Sequence, residues 1–188
     1  MPILAIDIGT RNLAFVVASA RGKKMVVSQA DLLDLGRGPV GPLIRLVSRE
    51  LGAVLARVPT GERLRVVIEQ QFSQNQRAFA LAHAVFGYFC CKGIAVDFRS
   101  PVSKFKNFVL LGVVDKENIG RGQKRARKDL AVRLTRTAVQ DLKIEFDFEQ
   151  FEKQDDVADA FIYAFNELFR DLNCEKIDRR RVLYVDLS

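Results

Sequence analysis

Along the first thirty residues apolar side chains come in short alternating or unbroken runs; beyond them stretches at spacings of three and four alternate with further short runs. Ile3 to Ile8 both alternates and clusters apolar side chains, the pattern of a buried strand, and stops at Gly9. Leu13 to Ala18 is a second β-prone run, set off by the turn-like Gly9-Thr10-Arg11-Asn12, and Met25 to Val27 opens a third. Residues 3–30 therefore predict an antiparallel meander. Pro39 to Arg57 carries Val40, Leu43, Ile44, Val47, Leu51, Val54 and Leu55 at helical period. Arg65 to Glu69 predicts a short buried strand ending on a carboxylate, Gln74 to Lys92 an apolar helix, and Ile94 to Phe98 a fifth strand.

Gly112 to Gln123, with three glycines, predicts a mobile loop. Lys124 to Asp141 predicts a basic helix with Ala131, Leu134 and Ala138 as its inner stripe and Leu130 beside it. From Gln154 to Leu172, Val157, Phe161, Ala164, Phe165, Leu168 and Leu172 give a broad inward stripe. The tail, Arg179-Arg180-Arg181 and then Val182 to Leu187, predicts a short strand or a basic arm. A meander, a helix, then strands alternating with helices point to an α/β sheet of mixed direction. With no internal repeat and no linker, residues 1–188 read as one domain.

Composition narrows the function classes. At 188 residues and 48% hydrophobic, the chain can bury an ordinary core, which excludes disorder and low complexity. No run of about 18 apolar residues occurs, so no transmembrane span is expected. The N-terminus reads straight into a strand, leaving no room for a signal or transit peptide. Cys90, Cys91 and Cys174 form neither a ligand-spaced pair nor an even framework. The expectation is an intracellular, reducing compartment with thiols buried or inert. The net charge of +7 is the remainder of a stronger polarity. Arg99 to Arg136 holds eleven Lys or Arg against three acids, whereas Asp141 to Asp159 holds eight acids against two lysines. A basic block of that density reads either as an ordinary solvated surface or as a polyanion-binding face, most often for nucleic acid, and the second reading is favoured.

Four carboxylates sit where a fold alone does not need them. Asp7 lies between Ile6 and Ile8, and Glu69 ends Val66-Val67-Ile68; a charge inside an apolar strand is costly unless something pairs with it. Asp156 and Asp159, three apart at the start of an apolar helix, share a face, and Asp155 can share it too. Individually they could cap a turn, pair with an arginine or complement a helix N-terminus. Together they match an oxygen-only ligand set for Mg²⁺ or Mn²⁺ rather than zinc. Acids clustered beside a cationic face are the polarity of metal-dependent nucleic-acid cleavage. Lys104 and Lys106 are candidates for contact with the scissile phosphate, and Phe72 for a wedge or base-stacking group. His83, the only histidine, reads as a packed helix residue rather than a catalytic base.

Three segments resemble a known group: Asp7-Ile8-Gly9-Thr10-Arg11-Asn12-Leu13-Ala14, Glu69-Gln70-Gln71-Phe72, and Asp155-Asp156-Val157-Ala158-Asp159-Ala160. They are similar to the Holliday junction resolvases of the RNase H-like superfamily, with the order and spacing of the bacterial RuvC branch. The opening motif is closer to the fungal mitochondrial, cruciform-cutting and poxvirus branches. The compact length and the absence of a presequence favour the poxvirus type. Ile8 stands where the bacterial motif has proline, so bacterial sequence preference does not carry over.

The resemblance implies an RNase H-like α/β fold, a five-stranded mixed sheet with the first three strands antiparallel, flanked by helices. It implies Asp7, Glu69, Asp156 and Asp159 as metal-binding catalytic acids for Mg²⁺, with Mn²⁺ as substitute. Asp156 is favoured over Asp155 because the family's pair is spaced by three. It further implies Lys104 or Lys106 as the active-site lysine and Phe72 at the junction's base stack. Branched DNA would lie along the basic region, including Arg121, Lys124, Arg125, Arg127 and Lys128. Two symmetric nicks from one site per chain imply a homodimer, and poxviral origin implies host cytoplasm or virion. The rival readings are an RNase H-like nuclease acting on RNA–DNA hybrid or flapped DNA, and a non-catalytic junction-binding protein. An actin-like ATPase, whose first phosphate loop also opens Asp-x-Gly-Thr, needs a second lobe that 188 residues do not supply.

Overall fold

Ile3–Ile8 (β1) is buried at every position, an environment open only to a strand with neighbours on both edges and cover on both faces. On one edge Asn12–Arg21 (β2) pairs antiparallel with it, and Lys24–Asp34 (β3) continues the meander. On the other edge Arg65–Glu69 (β4) and then Ala95–Arg99 (β5) add in parallel, giving the order β3-β2-β1-β4-β5. This computed structural model describes residues 1–59, 61–114, 124–172 and 177. The five-stranded mixed sheet with its antiparallel opening is the expected one.

Side chains alternate across each strand, so the sheet has two unlike faces. Leu4, Ile6, Ile8, Leu13, Phe15, Val17, Val66 and Ile68 form a bulky face under Val40–Ala56 (α1) and Gln76–Cys91 (α2). The opposite face is built from Ile3, Ala5, Ala14, Val16, Ala18 and Val67, and its three alanines let a helix lie close. After the short Lys106–Leu110 (α3) come Lys124–Asp141 (α4) and Gln154–Leu168 (α5), which cover that face; α5 packs on β1 and β2. The expected inner stripe of α4 is buried, as are Val157, Phe161, Ala164, Phe165 and Leu168 of α5.

The parallel register brings two acids together. Ile6 pairs with Ile68, so the next residues, Asp7 and Glu69, end adjacent strands side by side, both on the α5 face. Glu69 in turn pairs with Arg99 at the end of β5.

Some expectations shift. β3 runs on to Asp34, beyond the meander read from the sequence, and α2 begins at Gln76, capped by the Asn75 side chain on the Ala78 amide. The last helix ends at Leu168, and a 3₁₀ turn at Phe169–Asp171 follows. A 3₁₀ turn at Pro101–Ser103 and α3 occupy a stretch too short to show a helical period. Cys90 and Cys91 are free and exposed at the end of α2, so of the expected alternatives, buried or inert, burial does not hold for them. Cys174, Arg121, most of the expected glycine loop and the basic tail lie outside the described residues. Among the described residues no helix is long and apolar enough to cross a membrane.

Candidate active site

The carboxyl ends of β1, β4 and β5 and the start of α5 open onto one cleft of about 580 Å³. Asp7, Glu69, Asp155, Asp156 and Asp159 line it together with Lys104. Asp7 is held by its strand and is 7% exposed. Lys104, directly after the 3₁₀ turn at Pro101–Ser103, is 8% exposed and reaches between two elements. Its Nζ lies 3.2 Å from Glu69 Oε1 and 2.6 Å from Asp159 Oδ2. Lys106, two residues on, is exposed and does not line the cleft. Of the two candidate lysines, the fold brings only Lys104 to the acids.

The α5 acids are held from two sides. Asn12 Nδ2 donates to Asp156 Oδ2 at 3.0 Å, and Lys128 of α4 pairs with Asp155 and lies 3.4 Å from Asp156 Oδ1. Lys128, expected to meet DNA, therefore stands in the acid cluster itself. The turn before Asn12 is tight: the Gly9 amide donates to Asn12 O at 2.8 Å, and a Cβ on Gly9 would stand 3.2 Å from that oxygen. Glycine at this position lets the chain double back and aim Asn12 at α5.

Electrostatics follow from burial. Burial first, then the charge of Glu69 and a hydrogen bond shared with it, then Asp159, push Asp7 well above the usual carboxylate range. Burial also drives Asp159 up, to about 6, against the pull of Lys104. For Glu69 burial acts upward too, but the Asp7 hydrogen bond, the Lys104 charge and the Tyr163 hydroxyl outweigh it and hold Glu69 low. Lys104 loses hydration on burial, yet Asp159, Glu69 and Asp7 together raise it, so it stays protonated. Lys104 thus bridges Glu69 and Asp159, Lys128 holds Asp155 and Asp156, and Asp7 and Glu69 share a hydrogen bond.

Among the described residues no three His, Cys, Asp or Glu side chains converge in ready metal-ligand geometry. The donor chemistry nonetheless fits a hard divalent cation. The donors are all oxygen, and five carboxylates line one cleft, with Lys104 and Lys128 paired to them. Asp7, Glu69, Asp156 and Asp159 are the residues that could hold such an ion.

Around the acids the cleft is cationic and partly apolar. Arg11, Arg127, Lys128 and Lys153 line it, as do Pro101 and Phe72, which is 61% exposed. Phe72 is thus no core phenylalanine. Lys124 opens α4, and Arg125 is exposed on it outside the cleft lining. Much of the basic block is committed internally. Arg99 pairs with Glu167, Arg136 with Glu149, Lys104 with Glu69 and Asp159, and Lys128 with Asp155. His83 stands exposed on α2, its ring against Phe79 and Phe98, away from the cleft.

Three contacts carry no signal in the sequence taken alone. Tyr163 Oη donates to Glu69 Oε1 at 2.9 Å, Gln71 Nε2 to Glu69 Oε2 at 3.3 Å, and Asn166 Nδ2 to the Lys104 carbonyl at 2.7 Å.

The family model described as Poxvirus A22 protein matches residues 1–171. The chain belongs to that family. Its fold is that of the poxvirus-type, RuvC-like resolvases. A fowlpox virus resolvase solved with substrate Holliday junction DNA superposes with a TM-score of 0.65 at 16% identity, covering 90% of this chain and 98% of that one. The fowlpox virus Holliday junction resolvase alone gives 0.61 at 18% identity, covering 92% and 100%. The T. thermophilus RuvC in complex with Holliday junction substrate gives 0.59 at 17% identity, covering 90% and 96%. No curated protein sequence matches.

Proposed function

We propose that this chain is a metal-dependent, structure-selective endonuclease. It resolves four-way DNA junctions by paired symmetric nicks, in recombination or in processing replication intermediates. The observation that carries this reading is the buried Asp7 beside Glu69 and Asp159, in a cleft rimmed by cations and an exposed aromatic. Buried carboxylates crowded together weaken a fold, so a protein that only bound junctions would gain nothing from them. Family membership and the fold shared with two kinds of junction resolvase support the substrate.

Asp7, Glu69, Asp156 and Asp159 would hold Mg²⁺, or Mn²⁺ in its place. Such ions supply an activated water and neutralise the leaving oxygen of an in-line phosphodiester displacement, leaving 5′-phosphate and 3′-hydroxyl ends. Lys104 brings a fixed, protonated ammonium to the phosphate-facing side of the acids. Lys128 holds Asp155 and Asp156 from the opposite wall. Arg11, Arg127 and Lys153 meet the phosphates of the arms, reading charge and shape rather than base edges. Phe72 packs against exposed base faces at the crossover.

Two coordinated nicks require two such sites, so the working unit is a homodimer of single-domain RNase H-like subunits acting where the virus handles its DNA. The test is incubation with a labelled four-way junction, the matching duplex and an RNA–DNA hybrid, each with Mg²⁺ and with chelator. Symmetric, ligatable nicks in the junction alone, lost with chelator, are expected. Cutting of the hybrid instead would keep the site and overturn the substrate; tight binding without cutting would leave a binding module.

A further inference from the structure

We propose that Tyr163 is a positioning residue that locks the Glu69 carboxylate in register with Asp159, so that the two acids act on one cation from two different elements. The proposal deepens the metal-dependent reading above and rests on it. Tyr163 is 2% exposed on the buried face of α5, one turn beyond Asp159, so both project toward the end of β4. A buried hydroxyl demands a partner, and this one donates to Glu69 Oε1 at 2.9 Å. The same oxygen lies 3.2 Å from Lys104 Nζ, and that ammonium sits 5.6 Å from the centroid of the Tyr163 ring. One side chain thus grips Glu69 by its tip and backs Lys104 with its ring.

The grip matters because the terminal torsion of a glutamate is soft, with no staggered well to fix where its oxygens point. An ionised carboxylate only accepts, so the tyrosine hydroxyl is the donor in this pair. Gln71 holds Oε2 only at 3.3 Å, leaving Tyr163 as the closer neutral donor. α5 therefore presents Asp156, Asp159, Tyr163 and Asn166 on one stripe. The first two are acids, the third holds the acid of β4, and the fourth holds the Lys104 carbonyl at 2.7 Å. Groups that orient metal ligands in this way contribute about 10- to 100-fold to metal affinity.

The test is Mn²⁺ binding to the full chain without DNA, by electron paramagnetic resonance titration, for wild type, Tyr163→Phe, Glu69→Gln and the double variant. Tyr163→Phe keeps the ring and its packing, so wild-type circular dichroism is expected, with Mn²⁺ affinity weakened about ten-fold or more. If the residue acts through Glu69, the double variant binds no more weakly than Glu69→Gln alone. In cutting assays at saturating metal, kcat falls while the KM for the junction holds. Affinity within about two-fold of wild type, additive loss in the double variant, or a misfolded Tyr163→Phe protein overturns the assignment. Wild type that binds no Mn²⁺ overturns it together with the metal-dependent function. Wild type that binds and cuts, with Tyr163→Phe its equal, overturns Tyr163 alone.

Discussion

Asn12 and Asp156 stand 144 residues apart in the chain and share a 3.0 Å hydrogen bond across the mouth of the cleft. The contact ties the start of β2 to the first turn of α5, which carries Asp155 and Asp156. Asn12→Ala should leave Asp156 with Lys128 as its remaining charged neighbour, at a stability cost of about 1 kcal/mol. Junction cutting at saturating substrate should fall by about ten-fold, the range of losses for groups that orient a ligand. Single-turnover kinetics alongside a gel-shift titration will separate the two; equal losses in binding and cutting would point to a DNA contact instead.

Asp7 makes the metal-free protein sensitive to alkali. Its folded-state pKa is raised, so the folded chain keeps a proton that the unfolded chain releases above about pH 4. Stability from this group is therefore present at low pH and is lost as pH rises through the folded value. Asp159, raised to about 6, adds a loss of the same sign between about pH 4 and that value. Asp7→Asn keeps the shape and a donor toward Glu69 but cannot ionise. It should melt above wild type at pH 8 in the presence of chelator, converge with it near pH 4, and cut nothing. A wild type that melts no lower than Asp7→Asn at pH 8 would contradict the burial argument.

Lys104 and Lys106 should part company on substitution. Removing Lys104 strips the one ammonium from Glu69 and Asp159, and breaking a buried pair from one side costs about 3–5 kcal/mol. Lys104→Ala should therefore melt well below wild type in chelator and recover more than wild type on adding Mg²⁺. Lys106→Ala, at an exposed position outside the cleft, should change stability by less than about 0.5 kcal/mol. Paired thermal melts with and without Mg²⁺ decide the matter.

Phe72 touches solvent over most of its surface, so Phe72→Ala should be silent in thermal melts. Junction distortion is where it should register, since stacking on an aromatic is worth about 1–3 kcal/mol per base. Fluorescence of 2-aminopurine placed at the crossover should rise on binding wild type and much less on binding Phe72→Ala.

The fold was legible where one residue type dominated a face. Ile3 to Ile8 read as a buried strand, though not as the central one, and the α5 stripe announced its inner side. The acids were legible because Asp7 and Glu69 violate the apolar strands that carry them. Lys104 was not separable from Lys106, because the intervening turn at Pro101–Ser103 and the five-residue α3 carry no period from which to tell which side chain faces in. The free charge of the basic block was overstated for a related reason. Pairing of Arg99 with Glu167 and of Arg136 with Glu149 depends on long-range placement that composition does not contain. Tyr163 was hidden among Phe161, Ala164 and Phe165, where an aromatic reads as core and its hydroxyl goes unnoticed.

The stripe along α5 constrains how the gene can change length. Each residue added to a helix turns everything beyond it by about 100°. A single insertion between Asp159 and Tyr163 would swing Tyr163, Asn166 and Glu167 away from Glu69, Lys104 and Arg99 at one stroke, while leaving the acids themselves in the reading frame. Insertions in the segment between α4 and α5, or in the hairpin between β2 and β3, disturb no such phase. Relatives of this chain should accordingly vary in length in those two places and keep the interval from 156 to 167 free of gaps.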